Sequence, residues 1–240
     1  MNILCVIPAR FNSSRFEGKP LVDINGKSMI QRVWEQALKA KLVSEIVVAT
    51  DDDRIYNHVI DFGGNAVMTN PNHLSGTDRC FEVLQEKTGE FDAVVNIQGD
   101  EPFIDEKYID TVCQLIIDGA PIATLAHPIL DAEEIENPNK VKVVFTKEKK
   151  ALYFSRSVIP FNRSNETQNY FGHIGIYGYT SKALKTITQL SPSNLEKSES
   201  LEQLRWLEND ISIYVDLVDK ASIGIDTPED LEKVLKSLNN

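Results

Sequence analysis

Arg10, Arg15 and Lys19 place three cations within ten residues of a 240-residue chain whose formal net charge is −11. Cations that close repel one another, a cost that is offset when a polyanion such as a triphosphate lies among them. They follow a short apolar run ending at Pro8, and Gly18 within the segment permits close backbone approach. The loop after the first strand of an α/β protein is a usual place for nucleotide phosphates. The competing reading is a solvated loop with unrelated charges. Asp100 follows a second apolar run, in Asn96-Ile97-Gln98-Gly99-Asp100-Glu101-Pro102. A carboxylate there can hold Mg²⁺ through hard oxygen donors, although Gly-Asp also makes an ordinary turn. Asp226 stands just before a helix signal, where the helix dipole stabilises an acid in any case. Its functional value comes from pairing with Asp100, because two carboxylates plus triphosphate oxygens make a Mg²⁺ site.

Two further groups carry weaker signals. In His73-Leu74-Ser75-Gly76-Thr77-Asp78-Arg79, backbone groups beside Ser75 and Gly76 could read a base edge and Arg79 could meet an anionic substrate. The same residues also read as a helix cap with a surface arginine. Arg156, His173, Tyr177, Glu202 and Gln203 form a late set. On residue type alone these are packing residues and a helix flank.

The elements that must position these groups follow from periodicity. Residues 2–8, 45–50, 65–69, 92–98 and 122–127 read as strands, the longer ones nearly continuous in apolar character. Between them, 28–40, a segment opening at Asp51-Asp52-Asp53, 75–86 and 105–117 read as helices. This alternation implies an α/β fold with a mostly parallel sheet and helices on both faces. After about residue 130 the pattern changes. Segments 141–146, 151–154 and 171–179 read as strands joined by short polar turns, a small β-rich lobe at about 130–180 within one domain spanning 1–240. Helices are expected at 181–190 and 194–208, and a strand at 211–216. Thr227-Pro228-Glu229-Asp230 starts a last helix.

Composition bounds the function class. Hydrophobic residues make up 42% of the chain, enough for a sizeable core. The acidic balance argues against general nucleic-acid binding. Cys5, Cys80 and Cys113 are odd in number and widely spaced, so reduced buried thiols are expected. The opening residues carry no basic region and too short an apolar run for a signal peptide, and no stretch has the apolar length of a membrane span. A cytoplasmic protein with no membrane partner is the expectation. The sequons at Asn12, Asn162 and Asn165 are then chance matches. Gly26-Lys27-Ser28 imitates the end of a P-loop, but Leu21 stands where that motif needs glycine. The glycines at 172, 175 and 178 lack the dinucleotide spacing and fall on a late strand.

Taken in order, Ile7-Pro8-Ala9-Arg10, Gly18-Lys19-Pro20-Leu21, Ser75-Gly76-Thr77-Asp78-Arg79, Asn96-Ile97-Gln98-Gly99-Asp100-Glu101-Pro102, Ala151-Leu152-Tyr153-Phe154-Ser155-Arg156, His173-Ile174-Gly175-Ile176-Tyr177-Gly178-Tyr179, Leu201-Glu202-Gln203-Leu204-Arg205 and Gly224-Ile225-Asp226-Thr227-Pro228 resemble the 3-deoxy-manno-octulosonate (Kdo) cytidylyltransferases from end to end. The resemblance implies a Rossmann-like nucleotide-diphospho-sugar transferase fold. It implies transfer of CMP from CTP to Kdo with release of pyrophosphate, for lipopolysaccharide or capsule synthesis. It implies that Arg10, Arg15 and Lys19 hold the triphosphate and that Pro8, Ala9, Ser75 and Gly76 approach the nucleoside. Arg79, Gln98, Arg156, His173, Tyr177, Glu202 and Gln203 would line the sugar-acid pocket, and Asp100 and Asp226 would hold Mg²⁺. Lys19, Arg15, Asp100 and Asp226 would carry the chemistry, and the chain would act as a homodimer, with the β-rich segment after about residue 130 contributing to the dimer contact. A related sugar acid such as the 8-amino analogue is the alternative substrate; a non-catalytic nucleotide-binding domain is the alternative class. One departure stands out: the family usually has proline before the loop glycine, and this chain has Glu17.

Overall fold

The structure is a computed structural model that describes residues 1–12, 16–87, 91–164 and 169–238. The chain divides into two compact units, Met1–Asp110 with Ser222–Asn240, and Thr111–Ala221.

The first unit opens with β1 (Ile3–Ala9), whose residues from Ile3 to Ile7 are wholly buried. A strand without an exposed face must be covered on both sides, which is what its unbroken apolar run encodes. One turn of 3₁₀ helix at Lys19–Leu21 leads to a two-residue hairpin, β2 (Asp23–Ile24) and β3 (Lys27–Ser28). Then follow α1 (Met29–Ala37), β4 (Glu45–Thr50), α2 (Asp53–Asp61), β5 (Ala66–Met68), α3 (Gly76–Glu86) and β6 (Ala93–Asn96). Ser28, Asp52 and Ser75 cap the three helices through their side chains, so the small polar residues before each apolar stripe mark the starts. The strands pair in parallel in the order β6-β1-β4-β5. Their carboxyl ends therefore lie on one side, where open α/β sheets bind ligands. The division between the units falls within α4 (Glu106–Ile117).

The second unit contains β7 (Ile122–Ile129), α5 (Ala132–Glu136), β8 (Lys142–Phe145), β9 (Ala151–Ser155), β10 (Tyr170–Thr180), α6 (Ser181–Ile187), α7 (Asn194–Glu199), α8 (Gln203–Glu208) and β11 (Ile213–Leu217). β7 pairs antiparallel with β10 and parallel with β11, and β8 pairs antiparallel with β9 and β10. The C-terminal helix, Pro228–Leu238, belongs to the first unit.

Two sequence expectations change here, and one short helix appears that the sequence reading left unassigned. The helix expected over 194–208 is two helices, broken where Ser200 adopts a left-handed conformation (φ 52°). The β9–β10 connection is no short turn, since it runs from residue 156 to 169. The segment at 132–136 forms a short helix that its acidic, non-periodic composition did not announce, capped by Asp131.

Candidate active site

A cavity of about 440 Å³ opens at the carboxyl ends of β1 and β6, lined by Pro8, Ala9, Arg10, Asn12, Lys19, Pro20, Gly76, Arg79, Gln98, Gly99 and Asp100. Three strand-end segments build it. The Ile97 N–H donates to the Val6 carbonyl (3.0 Å), which carries the parallel pairing past the end of β6 and aims Gln98 to Asp100 into the cavity. Gly99 is obligatory at this approach, because a Cβ there would lie 2.7 Å from the Pro8 carbonyl oxygen. At the start of α3, Ser75 and Asp78 form a reciprocal capping box beside Gly76, where an added Cβ would lie 3.4 Å from Pro8 Cγ, ordinary packing distance. Ser75 itself stands just outside the lining, its hydroxyl engaged with Asp78 (2.9 Å).

Lys19 organises the charged end. Its Nζ donates to Asp100 Oδ2 at 2.7 Å and to Asp226 Oδ1 at 3.2 Å. Asp226 reaches this point because the C-terminal helix is fixed at its start: Thr227 and Asp230 cap each other, and Asp230 also accepts from the Asp226 N–H. Ile225 packs with Ile24, Met29 and Val234, and its N–H donates to the Asp100 carbonyl at 2.9 Å. Residues 126 positions apart are thus held by one apolar cluster and one backbone bond. Two carboxylates sharing one ammonium leave an excess negative charge. Next to them, burial pushes the Glu101 carboxyl up to about 7; Asp100 and Asp226 add to the shift, and a hydrogen bond from the Ser222 hydroxyl opposes it.

Arg10 lies on the cavity wall and donates weakly to the His73 carbonyl (3.4 Å). Arg15 lies outside the described residues. Arg79 is no surface arginine. It is 1% exposed, with Nη2 2.9 Å from Asp51 Oδ2 and Nη1 on the Thr69 hydroxyl. A guanidinium buried and paired in this way is a rigid wall element. Its partners were invisible in the sequence because Asp51 reads as a helix-start acid and Thr69 as a strand residue.

A cation–aromatic contact lies beside the loop. Arg54, paired with Asp52, lies over the Phe11 ring at 3.3 Å from its centroid. Phe11 in turn packs on Gly18, whose N–H donates to the Phe11 carbonyl (2.9 Å). Nothing in the structure explains the acid, Glu17, in place of proline.

The other five candidates lie together in the second unit. In β10 the pairing with β7 skips Gly175 and Ile176, a bulge closed by the Thr124 hydroxyl on the Ile174 and Ile176 carbonyls. A regular strand would hold His173 and Tyr177 about 13 Å apart; the bulge brings their rings to 5.3 Å. Burial, with His127 adding, drives the His173 pKa down to about 3, so its ring is neutral, and its Nε2 lies 3.0 Å from the Thr124 hydroxyl. Burial, then the charge of Glu202, pushes the Tyr177 hydroxyl well above its ordinary range. Tyr177 packs edge-on against Trp206 of α8, the helix that carries buried Gln203, with Glu202 at its N-cap. Arg156 reaches the α7–α8 corner, with Nε on the Glu199 carbonyl at 2.7 Å.

A family model described as cytidylyltransferase matches residues 4–213. A 3-deoxy-manno-octulosonate cytidylyltransferase from Parabacteroides distasonis is 49% identical, covering 100% of this chain and 99% of that protein. A solved CMP:2-keto-3-deoxy-manno-octonic acid synthetase complexed with CTP superposes with a TM-score of 0.95 at 46% identity, over 100% of this chain and 99% of the other. At 15% identity, a 4-diphosphocytidyl-2C-methyl-D-erythritol synthase from Anaerococcus prevotii (TM-score 0.65, 100% and 96% covered) shares the fold alone.

Proposed function

Because the chain belongs to the cytidylyltransferase family, in its 3-deoxy-manno-octulosonate branch, we propose that it transfers CMP from CTP to the anomeric hydroxyl of Kdo and releases pyrophosphate. The observation that carries this reading is Lys19 held between Asp100 and Asp226 at the edge of a cavity walled by Pro8, Ala9 and Gly76. A planar base suits the small, apolar wall, and a triphosphate suits the cationic edge.

The hydroxyl oxygen bonds to the α-phosphorus while the bond to the bridging oxygen of pyrophosphate breaks, and the hydroxyl proton passes to solvent. Such a transfer needs alignment and charge neutralisation rather than a covalent nucleophile. Lys19 and Arg10 stabilise charge growing on the departing pyrophosphate. The lysine exchanges carboxylate partners for phosphate oxygens as CTP enters. Asp100 and Asp226 fit Mg²⁺, since both are hard oxygen donors already turned toward one cation. No group of three His, Cys, Asp or Glu side chains suited to a metal occurs among the described residues. Two carboxylates plus phosphate oxygens match how Mg²⁺ is usually held. When bound it would neutralise phosphate charge as a Lewis acid. Arg156, His173, Tyr177, Glu202 and Gln203 are the proposed surroundings of the sugar acid. The proposed setting is a cytoplasmic homodimer serving lipopolysaccharide or capsule synthesis. No helix among the described residues is long and apolar enough to cross a membrane.

Pyrophosphate release from CTP over a panel of sugar acids tests the reading. Release that requires both Kdo and Mg²⁺, and stops with chelator, is expected. A faster rate with the 8-amino analogue moves the assignment to that sugar, and CTP binding without turnover on any sugar acid overturns it.

A further inference from the structure

Lys142, at the head of β8, is wholly buried. Its neighbours across the sheet are Ser155 on β9 and Gly172 on β10. Burial lowers its pKa, with Arg156 adding to the shift and Glu136 and Glu199 opposing it. Burying an ammonium is costly unless its protons are used, and a methionine would fill much of the same space without that cost. The protons are used on two main-chain carbonyls, Asn137 at 3.0 Å and Arg156 at 2.7 Å.

Those two bonds close a ring. Arg156 Nη1 donates to the carbonyl of Pro138, next to Asn137, at 3.1 Å. Nε and Nη2 donate to the carbonyls of Glu199 (2.7 Å) and Ser200 (3.4 Å). The Glu199 carboxylate is engaged by the Ser155 hydroxyl (2.6 Å) and the Arg156 N–H (2.9 Å). The guanidinium is therefore oriented by neutral carbonyl oxygens, an arrangement that fixes its plane while leaving its charge for an anion.

We propose that Lys142 is a positioning residue that fixes Arg156 as receptor for the carboxylate of the sugar acid. The inference rests on the functional reading above. Lys142→Met and, independently, Lys142→Gln, which keeps a donor, are assayed by pyrophosphate release beside Arg156→Gln and the double variant Lys142→Met/Arg156→Gln. The KM for Kdo rises at least tenfold in Lys142→Met and between about threefold and tenfold in Lys142→Gln. The KM for CTP stays within twofold, and kcat at saturating Kdo within threefold. The double variant is no worse than Arg156→Gln alone, because residues acting as one unit are non-additive. A KM for Kdo within twofold of the parent, in whichever Lys142 variant folds, overturns the inference, as does multiplication of the two effects. Absence of pyrophosphate from the unsubstituted chain overturns the functional reading, and this inference with it.

Discussion

At the scale of single residues, the two cavity glycines separate what backbone approach demands from what side-chain packing tolerates. A Cβ on Gly99 meets a main-chain oxygen at 2.7 Å, and backbone cannot step aside as a flexible side chain can. Gly99→Ala is expected to raise the Kd for CTP at least tenfold and to lower stability by about 1–3 kcal/mol, read by isothermal titration and urea unfolding. Gly76→Ala meets Pro8 Cγ at 3.4 Å and should stay within about threefold in Kd. Two titrating groups with shifted pKa values oppose each other in the pH dependence of stability. His173 has its folded pKa depressed to about 3, so below the unfolded value near 6.5 the unfolded chain binds the extra proton and stability falls with acid. Glu101 has its folded pKa raised to about 7, so its contribution is present below about 4.5 and is lost as pH rises through 7. The parent curve partly cancels the two, and the difference isolates one. On going from pH 8 to pH 5, His173→Gln should lose about 2 kcal/mol less stability than the parent, measured by urea midpoints. An equal loss in both proteins would place the acid sensitivity elsewhere.

Elements show where reading a sequence succeeds and where it stops. Lys19, Asp100 and Asp226 were legible because their types suit one chemistry and because they follow strand ends or precede a capped helix, features written locally. The bulge that brings His173 to Tyr177 was not legible, since it depends on how β10 registers against β7. Lys142 was missed for a related reason. A lysine heading an apolar strand reads as solvated, and only the fold supplies the carbonyls at residues 137 and 156. The break between α7 and α8 is the clearest case. Apolar periodicity runs through it, and nothing in the composition marks Ser200 for a left-handed conformation, in which an L side chain costs about 1–2 kcal/mol. Glycine removes that strain but frees the unfolded chain. Ser200→Gly should therefore raise stability by up to about 1 kcal/mol, and Ser200→Val should lower it. Thermal unfolding of the three proteins decides, and a higher Tm for the valine variant would show that the corner is unstrained.

At the scale of the whole molecule, charge and apolar surface make opposing statements about self-association. A net charge of −11 on each chain repels a second copy at long range. Any dimer contact must then be apolar enough to overcome it. Leu130, Leu152 and Phe161 are 93%, 60% and 85% exposed, and all three fall in the segment after about residue 130 that the family resemblance implies for that contact. Scattered exposed leucines are ordinary. An exposed phenylalanine and two leucines within about thirty residues would each gain roughly 1.5–3 kcal/mol on burial. The homodimer proposed above is therefore expected to tighten with added salt, because screening removes the repulsion and leaves the apolar term intact. Sedimentation at micromolar concentration should show twice the chain mass. Leu130→Asp combined with Phe161→Asp should raise the dissociation constant at least a hundredfold, since two lost burials amount to about 3–6 kcal/mol. A dimer that weakens with salt would point to an ion-paired contact, one that survives both substitutions to a contact elsewhere on the chain, and a monomer at every concentration would remove the homodimer altogether.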